Sequence, residues 1–267
     1  MWRPPLEGHV LVVIGGTTGL GLSAAQAILA AGARGVVVTG RNAASCATAL
    51  ETLGERAAAV TGDATQPDHA DRAIALALAR FGGFHGLYHV AGGSGRRHGD
   101  GPLHEVTDEG LRATLALNLE SLILSNRAAV RQFLQQGTGG SILNMSSVLG
   151  WSPSPQFFAT HVYAAAKSAV IGFTRSIASY YAPQGIRANV LAPGLVETPM
   201  AQRAAGDASI RAFIKTKQPL DGGRIGRPAD LDAAAVHFLS PGSAFTTGQV
   251  LAVDGGWTVS EGQLPSP

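Results

Sequence analysis

One glycine-rich turn decides the fold of this chain: Ile14-Gly15-Gly16-Thr17-Thr18-Gly19-Leu20-Gly21, between an apolar run and an apolar helical segment. Glycine permits the backbone angles of a tight turn and lets N–H groups at a helix start approach a pyrophosphate. Because any strand-to-helix turn can use glycine in this way, the turn alone is a weak signal. Its position after the first predicted strand favours dinucleotide binding. The candidate contacts are Gly15, Thr17, Thr18, Gly19, Leu20 and Gly21.

Outward from this turn, short apolar runs alternate with Ala-rich helical segments. The alternation is typical of βαβ units around a parallel sheet, and strands with little polar alternation are expected where helices cover both faces. The sequence predicts an α/β fold with one doubly wound, Rossmann-type, seven-stranded parallel sheet. The predicted strands are residues 10–14, 36–39, 57–60, 86–90, 141–145, 186–191 and 249–253. The predicted helices are residues 20–31, 43–53, 67–81, 108–135, 162–181 and 229–239.

Composition excludes several classes of protein. The chain has 267 residues, of which 45% are hydrophobic, and a formal net charge of +2. Neither a disordered nor a fibrous chain has this composition. We expect a single domain over residues 1–267, because α/β folds reach this length without splitting. Lys and Arg total 20 against 18 Asp and Glu, which leaves no basic footprint for nucleic acid.

Cysteine, histidine and hydropathy patterns bear on the compartment and on metals. Cys46 is the only cysteine, which excludes an intramolecular disulfide and fits a reducing compartment. Since no segment approaches the roughly 18 to 20 apolar residues of a membrane span, we expect a cytoplasmic protein without a membrane partner. The 8 histidines have no helical metal spacing, so no metal site is predicted.

The G-x-x-x-G-x-G spacing of the turn opens an ordered set of motifs that resembles the short-chain dehydrogenase/reductase family. The resemblance covers residues 8–257, and the ordered set is far more specific than any single motif. It implies that the pair after the third strand contacts adenine. In chain order the motifs are Asp63-Ala64, Ala91-Gly92, Asn118, Ser146-Ser147, Tyr163-x-x-x-Lys167, Pro193-Gly194 with Thr198, and Val253-Asp254-Gly255-Gly256.

Tyr163 and Lys167 lie four residues apart in a predicted helix, so their side chains share one face. A lysine cation and an oxidised nicotinamide would stabilise the tyrosinate, which makes Tyr163 a candidate general acid/base. Chance gives this spacing in many amphipathic helices, but the ordered motifs argue against chance. The resemblance implies that Ser147 polarises the substrate oxygen, that Lys167 also binds the nicotinamide ribose, and that Asn118 holds a proton-relaying water.

The implied reaction is reversible hydride transfer between a nicotinamide and the carbon of a ketone or secondary alcohol, a small-molecule substrate. The resemblance also implies that Val196 meets the carboxamide through its backbone and that Thr198 caps that contact or touches the pyrophosphate. A plain turn is the alternative interpretation of Pro193-Gly194. The alternative function is a dinucleotide-binding protein without turnover, against which the intact catalytic set argues.

The end of the second strand bears on the choice of nicotinamide. NAD-preferring members of the family carry an acidic residue where Gly40 stands, and a carboxylate there would repel a 2′-phosphate. Arg41 can pair with that phosphate through its planar fork, and Asn42 is a further cofactor candidate. Thr18 lacks the basic side chain that some NADP-binding relatives have. NADP(H) is therefore favoured, with NAD(H) as the alternative and a solvated Arg41 as the plainer interpretation.

Three stretches are predicted to be irregular, residues 92–103, 151–161 and 193–227, and all follow strands at the ligand-binding end of the sheet. We expect a substrate lid at about 194–227 and a bulged loop around 153–158 that faces the substrate. Residues 96–98, Arg-Arg-His, and the six basic side chains against two Asp in residues 201–227 fit an anionic substrate. Solvated surface loops are the commoner explanation of such clusters.

Two departures from the family pattern lie beside the turn. Val90 stands where the family has Asn, and Ile14 stands where it has Thr, so we expect an apolar contact between them to replace the usual hydrogen bonds. The long predicted helices 108–135 and 162–181 match those that pair subunits in relatives, which implies a homotetramer.

Overall fold

A seven-stranded parallel sheet forms the centre of the computed structural model, which describes residues 4–263, and its strand order is β3-β2-β1-β4-β5-β6-β7. The order reverses between β1 and β4, which defines the topological switch point of a doubly wound sheet. The strands are β1 Val10–Ile14, β2 Gly35–Gly40, β3 Ala57–Thr61, β4 Gly86–His89, β5 Gly140–Met145, β6 Ile186–Pro193 and β7 Val250–Val253. The α-helices are α1 Gly19–Ala30, α2 Ala43–Leu53, α3 His69–Phe81, α4 Asp108–Leu115, α5 Ser121–Gln136, α6 His161–Tyr181, α7 Gln202–Gly206, α8 Ala208–Lys217 and α9 Asp232–Leu239.

Helices cover both faces of the sheet, because successive strand side chains point to opposite sides. Leu11 and Val13 of β1 pack against α1, α2 and α9, whereas Val10, Val12 and Ile14 pack against α3, α5 and α6. Every residue of β1 is buried. The predicted doubly wound α/β fold is confirmed, and the carboxyl ends of β1, β4, β5 and β6 meet at one edge of the sheet.

The predicted helix over residues 108–135 was wrong in one respect, since a π-helical turn at Ala116–Glu120 separates α4 from α5. Such a turn inserts a residue into the helix without changing its apolar period enough to be visible in the sequence. Asn118 lies in this turn and is fully buried.

The stretch 193–227, which the sequence predicts to be irregular, contains α7 and α8. Asp207 begins α8 by accepting hydrogen bonds from the backbone N–H groups of Ser209 and Ile210. Phe213 and Ile214 of α8 are buried against Trp257, which is far away in sequence. The helix escaped prediction because α8 is short and its apolar face is completed by this distant partner.

The expected contact between Ile14 and Val90 is also wrong. Ile14 packs on the α3–α5 face and Val90 on the opposite face, because register pairs Ile14 with His89 instead. His89 is fully buried, with Nδ1 2.7 Å from the Ser125 hydroxyl. Burial lowers the pKa of His89 to about 3, so the ring is neutral and serves as a hydrogen-bonding group of the core.

The described part of the chain has neither a membrane-spanning helix nor a group of metal-binding side chains. No helix within residues 4–263 is long and apolar enough to cross a membrane. Over the same residues, no group of three or more His, Cys, Asp or Glu side chains could hold a metal ion.

Candidate active site

The glycine turn between β1 and α1 leaves no room for side chains. Gly15 has φ +84°, and a Cβ on it would lie 2.7 Å from the backbone nitrogen of Ala91 at the end of β4. A Cβ on Gly21 would collide with the carbonyl oxygen of Gly15. Position 15 thus requires glycine for its backbone angle, and positions 15 and 21 both require it for the close approach of backbone segments. The result is a concave backbone surface at the switch point of the sheet.

This surface fits an anion. Thr18 is the N-cap of α1, yet its side chain makes no capping hydrogen bond, and the first turn of α1 contains no acidic residue. The N–H groups at the start of a helix carry a partial positive charge and lack partners within the helix. Because no side chain satisfies them within residues 4–263, the start of α1 is suited to a pyrophosphate. The residues present therefore fit a dinucleotide.

Thr17, Gly40 and Asp63 lie around the adenosine end of the predicted cofactor site. A Cβ on Gly40 would lie 2.5 Å from Thr17 Oγ1, so Thr17 fills the space that a side chain at position 40 would need. Asp63 Oδ1 accepts hydrogen bonds from the N–H and the hydroxyl of Thr65, which lower the pKa of Asp63 together with the nearby Arg41. Neighbouring Ala64 packs partly buried against the α3–α5 face of the core.

Arg41 and Asn42 follow β2 with different roles. Asn42 is the N-cap of α2, and its Oδ1 accepts a hydrogen bond of 3.0 Å from the Ser45 N–H. The side-chain oxygen of Asn42 therefore caps the start of α2. Arg41 is exposed and makes no ion pair in the described part of the chain, so its guanidinium is available to a ligand.

Asn118 joins the π turn to the segment after β4. Its Nδ2 donates to the carbonyl oxygens of Gly93 (2.8 Å) and Thr114 (2.9 Å), and its Oδ1 accepts from the Gly93 N–H (3.1 Å). A Cβ on Gly92 would lie 2.8 Å from Asn118 Oδ1 and 3.4 Å from Lys167 Nζ. Glycine at position 92 thus lets Asn118 and Lys167 approach the same point, and Oδ1 keeps one free acceptor position there.

Ser147, Tyr163 and Lys167 converge from β5 and α6. Lys167 is buried, donates from Nζ to the Met145 carbonyl oxygen (3.0 Å), and places Nζ 5.6 Å from the centre of the Tyr163 ring. Ser147 follows Met145 by two residues, and its hydroxyl acts to lower the pKa of Tyr163. The parallel sheet brings these groups together, because the end of β5 lies directly against the first turns of α6.

Burial governs the ionisation of Tyr163 and Lys167 in the protein without a nicotinamide. Loss of solvent raises the pKa of Tyr163 to about 12, while the hydrogen bond from Ser147 acts in the opposite direction. Burial lowers the pKa of Lys167 to about 8. Desolvation is the largest cause of both shifts, and it favours the neutral phenol of Tyr163, which can donate a proton.

Asp100 holds the start of α6 and escaped the sequence analysis. Its Oδ1 accepts from the Val162 N–H (3.1 Å) and its Oδ2 from the Tyr163 N–H (2.9 Å). Thr160, the N-cap of α6, makes no side-chain hydrogen bond, so this buried carboxylate from the segment after β4 caps the helix in its place. The one signal that could have pointed to Asp100 is a helix start whose N-cap residue makes no capping contact. That signal does not identify which distant residue caps the helix.

The turn after β6 lies over the glycine turn. Thr198 Cγ2 would be 3.4 Å from a Cβ on Gly19, which places Thr198 beside the predicted pyrophosphate position. Gln218 fixes the turn by accepting from the Leu195 N–H (2.6 Å) and donating to the Leu195 carbonyl oxygen (3.2 Å). Val196 is buried and forms a parallel bridge with Gly226. The strand ends at Pro193, and Gly194 follows with a Cβ position 3.1 Å from the Asp254 carbonyl oxygen.

Aromatic rings form the other side of this edge of the sheet. The ring centres of Phe157 and Phe213 are 5.2 Å apart, those of Phe158 and Trp257 5.6 Å, and those of Phe213 and Trp257 6.1 Å. We call these four residues the aromatic cluster. Val148, next to Ser147, packs in the same core as the cluster, so an apolar wall begins beside the catalytic candidates.

Sequence and structure comparisons agree on the class of protein. The sequence pattern of the family described as enoyl-(acyl carrier protein) reductase matches residues 15–258. The chain is 35% identical to 2,5-dichloro-2,5-cyclohexadiene-1,4-diol dehydrogenase of Sphingobium indicum, over 95% of this chain and 98% of that protein. It is 34% identical to cis-4-hydroxycyclohexanecarboxylate dehydrogenase of Sinomonas cyclohexanicum, over 94% and 96%. A short-chain type dehydrogenase/reductase from Mycobacterium ulcerans has a TM-score of 0.87 at 30% identity, over 96% of this chain and 92% of that one.

The doubly wound sheet, with a glycine turn at its switch point and a Tyr-Lys pair beside it, defines a nicotinamide-dependent oxidoreductase of alcohol groups. More particularly, the chain belongs to the short-chain dehydrogenase/reductase family.

Proposed function

We propose that the protein interconverts a secondary alcohol and a ketone with NADP(H), and that Asn118, Ser147, Tyr163 and Lys167 are its catalytic residues. The convergence of Ser147, Tyr163 and Lys167 beside Gly92 supports this most strongly. A bound nicotinamide supplies the hydride for reduction and accepts it in oxidation. The hydroxyl groups of Ser147 and Tyr163 both donate to the substrate oxygen, which polarises the carbonyl and orients it.

Tyr163 transfers the proton. With a pKa raised to about 12, its phenol is protonated at neutral pH and gives its proton to the oxygen of a ketone during reduction. In oxidation the same group must first lose its proton, which a positive charge on or near Lys167 favours. Asn118 holds the chain around Gly93 and offers its free Oδ1 acceptor position to a relay water beside Lys167 Nζ.

The substrate class is a secondary alcohol carried on a ring. The two relatives named above act on a cyclohexadiene diol and on a hydroxycyclohexanecarboxylate. The aromatic cluster beside Ser147 offers a ring-shaped substrate an apolar wall. Residues 194–227, with α7 and α8, cover this side as a lid of the single domain, and the bend around residues 153–158 brings two rings of the cluster to it.

Preference for NADP(H) rests on Gly40, Thr17 and Arg41. No carboxylate occupies position 40, and Thr17 fills its place with a hydroxyl that suits a phosphate. Asp63 is held by Thr65, which leaves the Arg41 guanidinium without an ion-pair partner within residues 4–263. The alternatives are an NAD(H)-dependent dehydrogenase and a dinucleotide-binding protein without turnover.

A substrate panel tests the reaction. Cyclic ketones and secondary alcohols, an open-chain ketone and an enoyl thioester are offered with NADPH or NADH, and absorbance at the reduced nicotinamide band is followed. We expect turnover of cyclic ketones with a higher kcat/KM for NADPH. Turnover of the enoyl thioester alone would assign reduction of a carbon–carbon double bond instead. Tight NADPH binding without turnover of any member would assign a binding protein.

Two variants test the cofactor assignment. Arg41→Ala should lower kcat/KM with NADPH about tenfold or more while that with NADH changes little, because only NADPH carries the 2′-phosphate. Gly40→Asp alone should impair both cofactors, since its Cβ would lie 2.5 Å from Thr17 Oγ1. Gly40→Asp combined with Thr17→Gly should recover NADH and not NADPH. Equal effects of Arg41→Ala on both cofactors would refute the NADP(H) preference.

Assembly and location follow as part of the same proposal. Leu111, Ile123 and Leu134 of α4 and α5 and Tyr180 of α6 are large apolar side chains that lie exposed. Burying them between copies supports a homotetramer built through these helices. Sedimentation analysis of the purified chain tests the tetramer, and fractionation of the source cells tests the cytoplasmic location.

A further inference from the structure

Arg96 is a half-buried arginine whose hydrogen-bonding capacity is largely unused. It lies on the segment after β4, between Gly92 and Asp100, and its Nη2 donates to the Phe157 carbonyl oxygen at 3.3 Å. That is its one side-chain hydrogen bond within residues 4–263, although a guanidinium offers five N–H donors. Burying a charged group with unused donors is unfavourable unless a ligand satisfies them.

No carboxylate within residues 4–263 forms an ion pair with Arg96. The carboxylate of the nearby Asp100 accepts from the backbone N–H groups of Val162 and Tyr163, and its negative charge also acts on Arg96 without direct contact. Desolvation lowers the pKa of Arg96, the positive charge of Arg203 lowers it further, and the charge of Asp100 acts in the opposite direction. Two like charges near each other in a partly desolvated place attract an anion.

Arg203 lies on α7, a separate segment, and its charge acts on Arg96. The adjacent Ala204 is buried in the same core as Phe213, Trp257 and Val148. Arg203 itself is exposed and forms no ion pair in the part of the chain that the structure describes. The two arginines are thus carried by two different segments that meet at the aromatic cluster.

The position of Arg96 connects it with the reacting groups. Its bond to Phe157 ties the segment after β4 to the loop between Ser147 and Tyr163, and the Phe157 ring lies 5.2 Å from the Phe213 ring of the lid. Four residues further on, Asp100 holds the backbone of Tyr163. Arg96 therefore contacts the backbone of one member of the aromatic cluster and lies four residues before the carboxylate that holds Tyr163.

We infer that Arg96 and Arg203 form a subsite for the carboxylate of a ring-bearing hydroxy acid or keto acid, whose ring packs on the aromatic cluster. This inference rests on the proposed function and adds the charge of the substrate to it. The fork of Arg96 gives directional hydrogen bonds to the carboxylate, and Arg203 closes over it with α7. Exposed Arg97 is the neighbouring arginine that has no such environment.

A matched pair of ketones tests the subsite: 4-oxocyclohexanecarboxylate and 4-oxocyclohexanecarboxamide, which differ in charge and not in shape. With the full-length protein and NADPH, we expect kcat/KM to be about tenfold or more higher for the carboxylate, and added salt to reduce the ratio. Arg96→Gln and Arg203→Gln should each lower the carboxylate-to-amide ratio about 10- to 100-fold, mainly through KM. Arg96→Lys should recover part of it, and Arg97→Gln should leave it unchanged.

The possible outcomes separate the inference from the proposed function. Equal loss for both ketones in Arg96→Gln, or an unchanged ratio in both variants, would overturn the subsite while the ketone reductase assignment stands. An unchanged carboxylate-to-amide ratio in Arg97→Gln, together with a lowered ratio in Arg96→Gln and Arg203→Gln, would support the subsite. If neither ketone is reduced, calorimetry with the protein–NADP⁺ complex compares cyclohexanecarboxylate with cyclohexanecarboxamide. Carboxylate-selective binding lost in Arg96→Gln supports the subsite without the reaction, and no selectivity overturns it.

Discussion

On the nucleotide side of the site, backbone faces backbone: a Cβ on Gly15 would lie 2.7 Å from the Ala91 nitrogen. On the substrate side, the wall consists of side chains, with ring centres of Phe157 and Phe213 5.2 Å apart and Arg96 reaching the Phe157 carbonyl oxygen. A surface made of backbone requires glycine at fixed spacing and so leaves a motif in the sequence. A surface made of side chains from distant segments has no fixed spacing and leaves none.

Tyr163 lies between the nucleotide side and the substrate side, and loss of its hydroxyl should have the largest effect on kcat. Tyr163→Phe keeps the ring and removes the proton donor, so kcat should fall about 10³-fold. The Kd for NADPH, measured by fluorescence titration, should stay within about threefold, because the nucleotide side does not use this hydroxyl. A comparable loss of NADPH affinity would show that the two sides are not independent.

Gly15→Ala tests the nucleotide side alone. Position 15 combines φ +84° with a backbone clash, whereas Gly54 has φ +75° and nothing within 4 Å of its Cβ position. Gly54→Ala is therefore the matched control for the backbone angle. We expect Gly15→Ala to raise the Kd for NADPH about 100-fold, and Gly54→Ala to lower the free energy of unfolding by about 1–2 kcal/mol without changing that Kd. Equal NADPH affinity in the two variants would contradict a backbone-built surface.

Asp100→Ala tests the substrate side. It leaves the Val162 and Tyr163 N–H groups without acceptors at a buried helix start, so the free energy of unfolding should fall by about 2 kcal/mol. Because Tyr163 lies in the first turn of α6, kcat should fall about tenfold with little change in the Kd for NADPH.

The control is a carboxylate at another helix start, and the rescue is the amide of the same shape at position 100. Asp108 also begins a helix, but its carboxylate is 87% exposed in a 3.4 Å pair with Arg112, so Asp108→Asn should change neither quantity. Asp100→Asn keeps one side-chain oxygen and should recover part of kcat. If Asp100→Ala lost stability while kcat was kept, Asp100 would support the fold without positioning Tyr163.

The smallest expected effect is a shift of the pH profile. The raised pKa of Tyr163, about 12, keeps the phenol protonated below that value. Reduction, which needs the phenol, should not rise with pH, whereas oxidation, which needs the tyrosinate, should rise from about pH 6 up to about pH 8, where Lys167 begins to lose its charge. Ser147→Ala removes the bond that lowers the pKa of Tyr163 and should move the rise in oxidation to higher pH by up to about one unit, unlike Ser147→Thr. A rise in reduction with pH would contradict Tyr163 as the proton donor.

The sequence predicted the fold and the catalytic candidates through local patterns. The seven-stranded sheet was visible because each buried strand is a short apolar run, and Tyr163 with Lys167 because a helix repeats in 3.6 residues. Asp100 was not predictable, because the N–H donors of Val162 and Tyr163 that it accepts from lie over 60 residues away and no spacing links them. Helix α8 was missed for the related reason that its partner Trp257 is distant in sequence, whereas the π turn around Asn118 was missed because it barely changes the apolar period of the helix.

The sequence by itself determined a parallel α/β sheet and a backbone cradle suited to a dinucleotide, and it supplied the catalytic candidates in the family's order. Only the tertiary structure decided that Tyr163 is held by Asp100, that desolvation keeps its phenol protonated, and that Thr17 fills the space beside Gly40. It also decided that Arg96 forms no ion pair within residues 4–263 and donates to the Phe157 carbonyl oxygen. Backbone geometry is encoded locally, whereas burial and charge depend on the packing of segments that only the folded chain brings together.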